Sequence, residues 1–412
     1  MIESPDEAAP PAAIRSDPAL TVGMAAIVRM AYEGVDLNGL WNELLARVER
    51  DATDAAALMD LSTILQVSGQ REQALEVQAA AIGLQHCYHR PHGQGNGLRV
   101  LALMVPGDFM ANTPIDFLLE GTDVDLWLLY VDPTTGRIAD APEHDVAFLA
   151  IGESAANAST LALIPEVLAG WTGPVVNRAP EAIAGLTRDR VYKLFADEPS
   201  ILAPTTVRTN RDRVEAVARG EVMLADLLPG GAFPIIIRPV DTHAGIGLEK
   251  VSNLDGLAEY LVGREEAAFY LAPFIDYSGP DGLFRKQRIA FIDGRGYPSH
   301  FAVSEHWMVH YLSAQMTERP ERRAEEEAWM RDFDSDFAAR HAQAFAALHR
   351  QLGLDYFGID CAETPDGRLL LFEADVAMIV HDLDPDHTFP YKKPAMRRLF
   401  DAFAAALQAR AA

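Results

Sequence analysis

The sequence predicts a mixed α/β protein with a helical region at its N-terminal side, and three observations predict it. Residues 20–82 are rich in alanine and leucine at helical spacing. Residues 98–105, 124–131 and 146–151 are short apolar runs separated by helix-length segments, the pattern of a parallel sheet with crossover helices. Residues 233–251 place three isoleucines, Ile235 to Ile237, before a glycine-bearing loop and a second short strand.

A chain of 412 residues is long enough for two or three domains, each with its own core. Hydrophobic content of 49% and charged content of 23% are those of a globular protein. A formal net charge of −25 argues against nonspecific nucleic-acid binding and against an anionic membrane surface, while leaving room for a local basic pocket. Cys87 and Cys361 are far apart without metal-type spacing, so the chain reads as thiol-reduced and cytoplasmic. No apolar run is long enough to span a bilayer. Residues 1–18 are acidic and proline-rich, which predicts a disordered tail and not a signal peptide.

In the helical region, residues 19–90, Leu61, Ser62, Leu65, Gly69, Ala74 and Ala81 fall at tetratricopeptide spacing, with Gly69-Gln70 as the turn; a generic helical hairpin reads equally well. Either hairpin must bury its face against the preceding helix, residues 37–48, or against the next domain. Residues 91–97 form a linker. The α/β segment that follows runs over residues 98–186, with a turn at residues 132–136 and another strand at residues 174–177. Gly152-Glu153-Ser154 lacks the second glycine of a nucleophile elbow, because position 156 is alanine. No G-x-G-x-x-G follows the first strand, which argues against a dinucleotide.

A second α/β layer occupies residues 187–412. Arg238 ends the isoleucine strand, and the loop His243, Ala244, Gly245, Ile246, Gly247 either cradles a phosphate with its backbone N–H groups or simply turns a hairpin. Residues 268–276 read as a strand that Pro273 confines to an edge or bend. Lys286, Arg288 and Ala290 share one strand face, Asp293-Gly294 turns the chain, and residues 297–303 return antiparallel. The two cations either pair with carboxylates or meet a phosphate or carboxylate ligand. Residues 321–352 read as one long helix, with Trp329, Phe333, Phe337, Phe345, Leu348 and Leu352 in the core, Glu325 to Glu327 on a solvated face, and Gly353 ending it. Glu305, His306 and His310 do not spell H-E-x-x-H, which argues against zinc.

The chemistry concentrates in residues 356–375. With Pro365-Asp366 at a hairpin tip, Glu363 pairs with Arg368 and Asp360 with Leu371. Leu371, Glu373 and Asp375 then share the face of Asp360, with Asp360 and Glu373 as diagonal neighbours roughly 7–8 Å apart. Three carboxylates there repel one another unless a cation sits among them, and oxygen-only ligands select a hard ion such as magnesium. A solvated face is the alternative, and the apolar run Leu369 to Phe372 weighs against it.

Arg238 with its glycine loop, the cationic strand ending at Arg288, and Asp360…Glu373-x-Asp375 together resemble the ATP-grasp ligases, most nearly the RimK-like branch. The resemblance covers residues 98–407 and implies an α+β ATP-grasp fold: a pre-ATP-grasp domain at 98–186 and a two-part grasp at 187–412. It implies ATP and Mg2+ as cofactors. It places Arg190, Arg238 and residues 243–247 at the phosphates, Tyr270, Leu271 and Phe274 at the adenine, and Asp276 at the ribose. It places Asp360, Glu373 and Asp375 at magnesium, and Arg288 with Lys286 at the transferring phosphate. Arginine stands at positions 190 and 238 where the family usually has lysine, and Asp375 where it has asparagine. Ser304, Glu305, His306 and His381 fall where an acceptor substrate would lie, although the acidic loop around His381 could equally face water. Lys392 and Lys393 either meet an anionic substrate or face water.

The activity so implied is carboxylate activation by ATP to an acyl-phosphate, then attack by an amine to give an amide. The partners implied are a carboxylate and an amine, one of them a peptide or protein recruited by the helical region, and a second copy of the chain. A nucleotide-binding regulatory protein without turnover and an ATP-grasp kinase are the alternative readings.

Overall fold

A computed structural model describes residues 20–131, 141–242 and 245–412. The chain divides into two units, residues 1–90 and 91–412. The tail expected at 1–18, the turn at 132–136, and His243 and Ala244 lie outside the described residues.

The first unit contains helices α1 (Met24–Tyr32), α2 (Asn38–Arg50), α3 (Ala55–Val67) and α4 (Arg71–Leu84). Asp54 caps α3 by accepting from Ala57 N at 2.9 Å, and Arg47 on α2 grips the same carboxylate. Ile27, Leu44, Ala57, Leu61 and Ile64 form the core, so the α3–α4 hairpin does lean on the helix before it. Ser62 Oγ donates to Ala74 O at 2.7 Å and ties the two arms together. Asp60, almost fully buried, accepts from Val22 N (2.7 Å) and Gly23 N (3.1 Å) at the start of α1. Strand β1 (Cys87–Pro91) spans the boundary between the units.

The second unit carries three sheets. The parallel part of the first has the order β3-β2-β4-β5, from β2 (Arg99–Met104), β3 (Asp125–Tyr130), β4 (Val146–Leu149) and β5 (Val175–Val176). Val100, Ala102, Leu126, Val146 and Phe148 are completely shielded, as strands covered on both faces require.

Further along come β6 (Ile201–Leu202), β7 (Val207–Asn210), β8 (Ile235–Pro239), β9 (Glu249–Val251) and β10 (Ala268–Pro273). The second sheet is antiparallel, in the order β7-β10-β8-β9. β10 is therefore interior and not an edge: Pro273 is its last residue, and β7 pairs only as far as Leu271, so the missing N–H breaks no ladder on that side.

The third sheet orders β12-β11-β13-β14-β6, adding β11 (Phe284–Ile292), β12 (Arg295–Ser304), β13 (Tyr356–Glu363) and β14 (Leu369–Asp375). One face is aromatic. Phe291 stacks on Phe357 (centroids 4.7 Å apart) and meets Phe345 edge-on. On the other face Ala290, Ile292 and Tyr356 pack with the first sheet and with Met396, Leu399, Phe400 and Phe403 of the C-terminal helix Lys392–Ala411. Ala302, Ala362 and Leu370 form a second apolar patch with Tyr277 and Phe389. The charged residues lie on the strip between these two patches.

The long helix expected over 321–352 is instead three: Pro320–Asp332, Phe337–Arg340 and Ala342–Leu352, the last ended by Gly353 in the left-handed region (φ 66°). Glu326 is not on a solvated face. It is fully buried, because Arg322, Glu326 and Met330, four residues apart, form the inward stripe of the first of these helices.

Candidate functional site

Strand register brings the charged residues into one row. Arg288 on β11 stands opposite Asp360 on β13, and Asp360 stands opposite Glu373 on β14. The pairing expected from sequence, Asp360 with Leu371, is corrected by two single-residue shifts. The tip is one residue longer, so Glu363 meets Leu369, and a bulge at Phe372 adds a second residue. Two shifts preserve the period-two parity, which keeps Glu373 on the face of Asp360, directly opposite it rather than diagonal. Leu371 is turned to the other face, opposite Cys361.

Asp360 is buried and holds two cations. Arg288 donates through Nε (2.7 Å) and Nη2 (2.9 Å), and Lys286 Nζ lies 2.6 Å from the second oxygen. Burial works to raise this carboxyl, and Arg288 and then Lys286 overcome it, leaving Asp360 well below the usual carboxylate range. Arg288 Nη1 donates to Ile379 O at 3.1 Å. Glu373 pairs with Arg188 of helix Arg188–Phe195, whose guanidinium also donates to Phe372 O at 3.2 Å. Burial opposes ionisation of Glu373 too, and Arg188, together with Lys286 and Arg238, overcomes it, holding the carboxyl below its ordinary value.

Asp375 differs. Among the described residues its hydrogen-bond donor is Ala377 N, at 3.0 Å, and burial pushes the carboxyl up to about 7. Glu153, just beyond the C-terminal end of β4, is likewise raised to about 7, by burial first and then by Asp375 and Asp241. These groups line one cavity with Leu186, Arg188, Thr242, Tyr270, Glu373 and Ala374. Glu153 escaped the sequence reading, which weighed Gly152-Glu153-Ser154 only as a nucleophile elbow. Its position beyond a parallel strand's C-terminal end was the available signal.

On the second sheet Tyr270, which lines this cavity, is paired in register with Arg238 on one side and Arg208 on the other. Arg238 is buried and donates to the carbonyl and hydroxyl oxygens of Thr242. Its Nε has no partner among the described residues, and burial, then Arg188, lowers its pKa to about 10. A buried guanidinium with an unfilled N–H is suited to an incoming anion. Gly245 and Gly247 both have left-handed backbone, and a Cβ at Gly247 would meet Pro239 Cδ at 2.7 Å. Ile246 is exposed.

Other expected residues fall elsewhere. Arg190 is exposed and donates to Ala184 O, and Arg188, two residues earlier on the same helix, takes the place at the carboxylates. Leu271 is in the core of the second sheet, whereas Phe274 is half-buried, with Lys250 Nζ 3.5 Å from its ring centroid. Asp276 is exposed and accepts from Ser278 N and Oγ. Ser304 Oγ accepts from His306 N, Glu305 pairs with Arg322, and His306 is exposed. His381 lies 5.0 Å, ring to ring, from His300, which is opposite Arg288 on β12. Lys393 is exposed beside Asp386, but Lys392 is buried among polar side chains, neither facing water nor open to a substrate.

Among the described residues no cluster of three or more His, Cys, Asp or Glu side chains is arranged as a ready metal cage. The donor chemistry still fits a hard cation that phosphate oxygens complete. Asp375 is a half-buried carboxyl with little compensation, and Asp360 Oδ1 accepts only one hydrogen bond.

No family model and no curated protein matches the chain. Solved structures similar to it include a RimK-domain ATP-grasp protein from Sphaerobacter thermophilus DSM 20745 (14% identity, 75% of this chain and 99% of that one, TM-score 0.41). The D-alanine–D-alanine ligase from Coxiella burnetii is another (13%, 76% and 96%, TM-score 0.48). ATP-grasp ligase PsnB, complexed with precursor peptide PsnA2 and AMPPNP, is a third (14%, 75% and 97%, TM-score 0.41). At such identities and TM-scores the likeness assigns no activity, and the chemistry has to come from the site.

Proposed function

We propose that the chain is an ATP-dependent carboxylate–amine ligase of the ATP-grasp type, forming an amide through an acyl-phosphate. The observation that carries the reading is the row Arg288–Asp360–Glu373, whose last member lines one cavity with Arg188, Tyr270 and Asp375, with the buried Arg238 paired in register to Tyr270. Phosphoryl transfer asks a protein for positioning and charge neutralisation, not for a nucleophile. Of the five guanidinium hydrogens of Arg288 three are used, and of the three ammonium hydrogens of Lys286 one, among the described residues. The remainder can hold an anion beside Asp360.

In the first half-reaction a carboxylate oxygen attacks the terminal phosphorus and the bond to ADP breaks. Arg288 and Lys286 hold the charge that builds on the transferred group. In the second half-reaction the amine nitrogen attacks the acyl carbon, phosphate departs with its electron pair, and the amine's surplus proton passes to solvent. Glu373 and Asp375, with the free lone pair of Asp360, would hold magnesium, which when bound neutralises phosphate oxygens. Arg238 and the loop through Gly247 would meet the phosphates, and Tyr270 with Phe274 the base.

The α3–α4 hairpin is read as a tetratricopeptide-like module that recruits a peptide substrate, and the enzyme as a homodimer. Cytoplasmic residence agrees with a chain whose two cysteines, Cys87 and Cys361, form no disulfide. Among the described residues no helix is long and apolar enough to cross a membrane.

The test is ADP release from purified protein with Mg-ATP and pooled acids and amines, beside Glu373→Gln. Release that needs both an acid and an amine and is lost in the variant is expected. ADP formed with the acid alone, together with a stable phosphorylated product, would make the protein a kinase. Absence of ATP binding overturns the reading.

A further inference from the structure

A second polar cluster lies beside the Arg288 row, on its β12 side, and is not used by the reaction described above. Its centre is Lys392, the first residue of the C-terminal helix, only 2% exposed. Nζ lies 2.5 Å from Asp384 Oδ2, 2.7 Å from Tyr311 OH, 2.9 Å from His300 Nδ1 and 3.3 Å from Glu326 Oε1. Glu326 in turn accepts from Phe301 N (3.0 Å) and Tyr391 OH (2.7 Å). Four separate segments of chain thus meet on one ammonium group.

The contact to His300 has a definite consequence. An ammonium group can only donate, so Nδ1 at 2.9 Å must present its lone pair. Burial, then Lys392, holds this imidazole well below its ordinary pKa, so it is neutral and its one proton sits on Nε2. His300 stands directly opposite Arg288 and therefore projects to the same sheet face. The charged and titratable groups around it are Lys392, Tyr311, His381 and Arg288, with Asp384 and Glu326 beyond the ammonium.

We propose that Lys392 is a positioning residue that fixes His300 as its Nε2–H tautomer, making His300 a neutral hydrogen-bond donor to the carboxylate of the acid substrate beside Arg288. This rests on the ligase reading. A neutral donor adds direction without further charge: Arg288 and Lys286 already supply two cations for the single Asp360 carboxylate. A third cation would hold the substrate acid as tightly before phosphoryl transfer as during it, which does not accelerate the step.

Two measurements on the full-length protein test this. Long-range 1H–15N spectra of histidine-labelled protein, with His300 assigned by its loss in His300→Gln, report the tautomer directly. Neutral Nε2–H at pH 7 is expected in the wild type and in Lys392→Arg, with a change to Nδ1–H or imidazolium in Lys392→Met. Should Lys392→Met fail to fold, the wild type and Lys392→Arg decide. Nδ1–H or imidazolium in the wild type overturns the proposal.

The second measurement is ADP release with Mg-ATP and the pooled acids and amines. His300→Phe should raise the acid concentration at half-maximal rate about tenfold, the loss expected for one hydrogen bond, with that for ATP unmoved. His300→Gln, whose amide can both accept and donate, should recover part of it. An unmoved acid dependence in His300→Phe overturns the inference while leaving the ligase intact. A wild type that releases no ADP with any acid removes the ligase reading, and the donor role falls with it, whatever the tautomer.

Discussion

Two ionic clusters share the third sheet, and their charge ratios are opposite. Around Asp360 there are two cations for one carboxylate, and the side chains of Lys286 and Arg288 remain about a quarter exposed. Around Lys392 there are two carboxylates for one cation, with all three side chains at 2% exposure or less. The first cluster keeps spare N–H donors on partly exposed side chains, whereas the second has Lys392 surrounded by protein acceptors. In the second, burial also pushes the Glu326 carboxyl above its ordinary value, against the pull of Lys392. An open cluster with excess donors is built for an anion that comes and goes. A closed one holds segments together, and the difference predicts which substitutions harm activity and which harm stability.

The largest expected effect is on turnover. Arg288→Met should lower ADP release by about 10²–10³-fold, the usual loss when one charge-stabilising donor is removed. Lys286 still compensates Asp360 there, so the melting temperature should move little. A variant that unfolds while its residual folded fraction keeps full activity would break the comparison.

Next is stability. Lys392→Met leaves Asp384 and Glu326 without their shared cation, a loss of about 3–5 kcal/mol when one partner of a buried pair is removed. Denaturant midpoints read it. A midpoint within error of the wild type would mean that the closed cluster is not holding the segments.

The sequence carried most of the architecture and only part of this contrast. The parallel strands and the antiparallel return after Asp293-Gly294 were legible from apolar runs and turn residues. The hairpin carboxylates were legible as a group, but the bulge at Phe372 was not, because one extra residue in a ladder leaves no compositional trace. Glu326 was indistinguishable in composition from Glu325 and Glu327. Only its spacing from Arg322 and Met330 hinted at the buried stripe, and two of those three residues are charged. Lys392 could not be read at all, since His300, Tyr311 and Glu326 lie 92, 81 and 66 residues away in the chain.

A pH profile separates the clusters further. Asp375 has a folded-state pKa of about 7 against an ordinary 3.8. A carboxyl raised on folding binds more protons in the native than in the unfolded state. Its contribution to stability is therefore full below pH 3.8 and is lost as pH rises through about 7. Glu153 acts in the same direction. The ligand-free protein should accordingly lose melting temperature between pH 5 and pH 8, and Asp375→Asn should flatten that slope. A slope unchanged in Asp375→Asn would show that this carboxyl ionises freely in the folded protein.

The smallest effect is expected from a pair two residues apart. Arg188 holds Glu373 beside the cavity, whereas Arg190 is exposed and reaches only Ala184 O. Arg190→Ala should change stability by no more than about 0.5 kcal/mol, as exposed substitutions do, and leave ATP affinity as it was. Arg188→Ala should weaken ATP binding at least tenfold, roughly 1.4 kcal/mol, because it removes a cation from the cavity and frees Glu373 to repel phosphate. Calorimetric titration of both variants with an unhydrolysable ATP analogue decides between them. A larger loss in Arg190→Ala would return the phosphate contact to the position that the motif first suggested, and would require helix Arg188–Phe195 to turn when nucleotide binds.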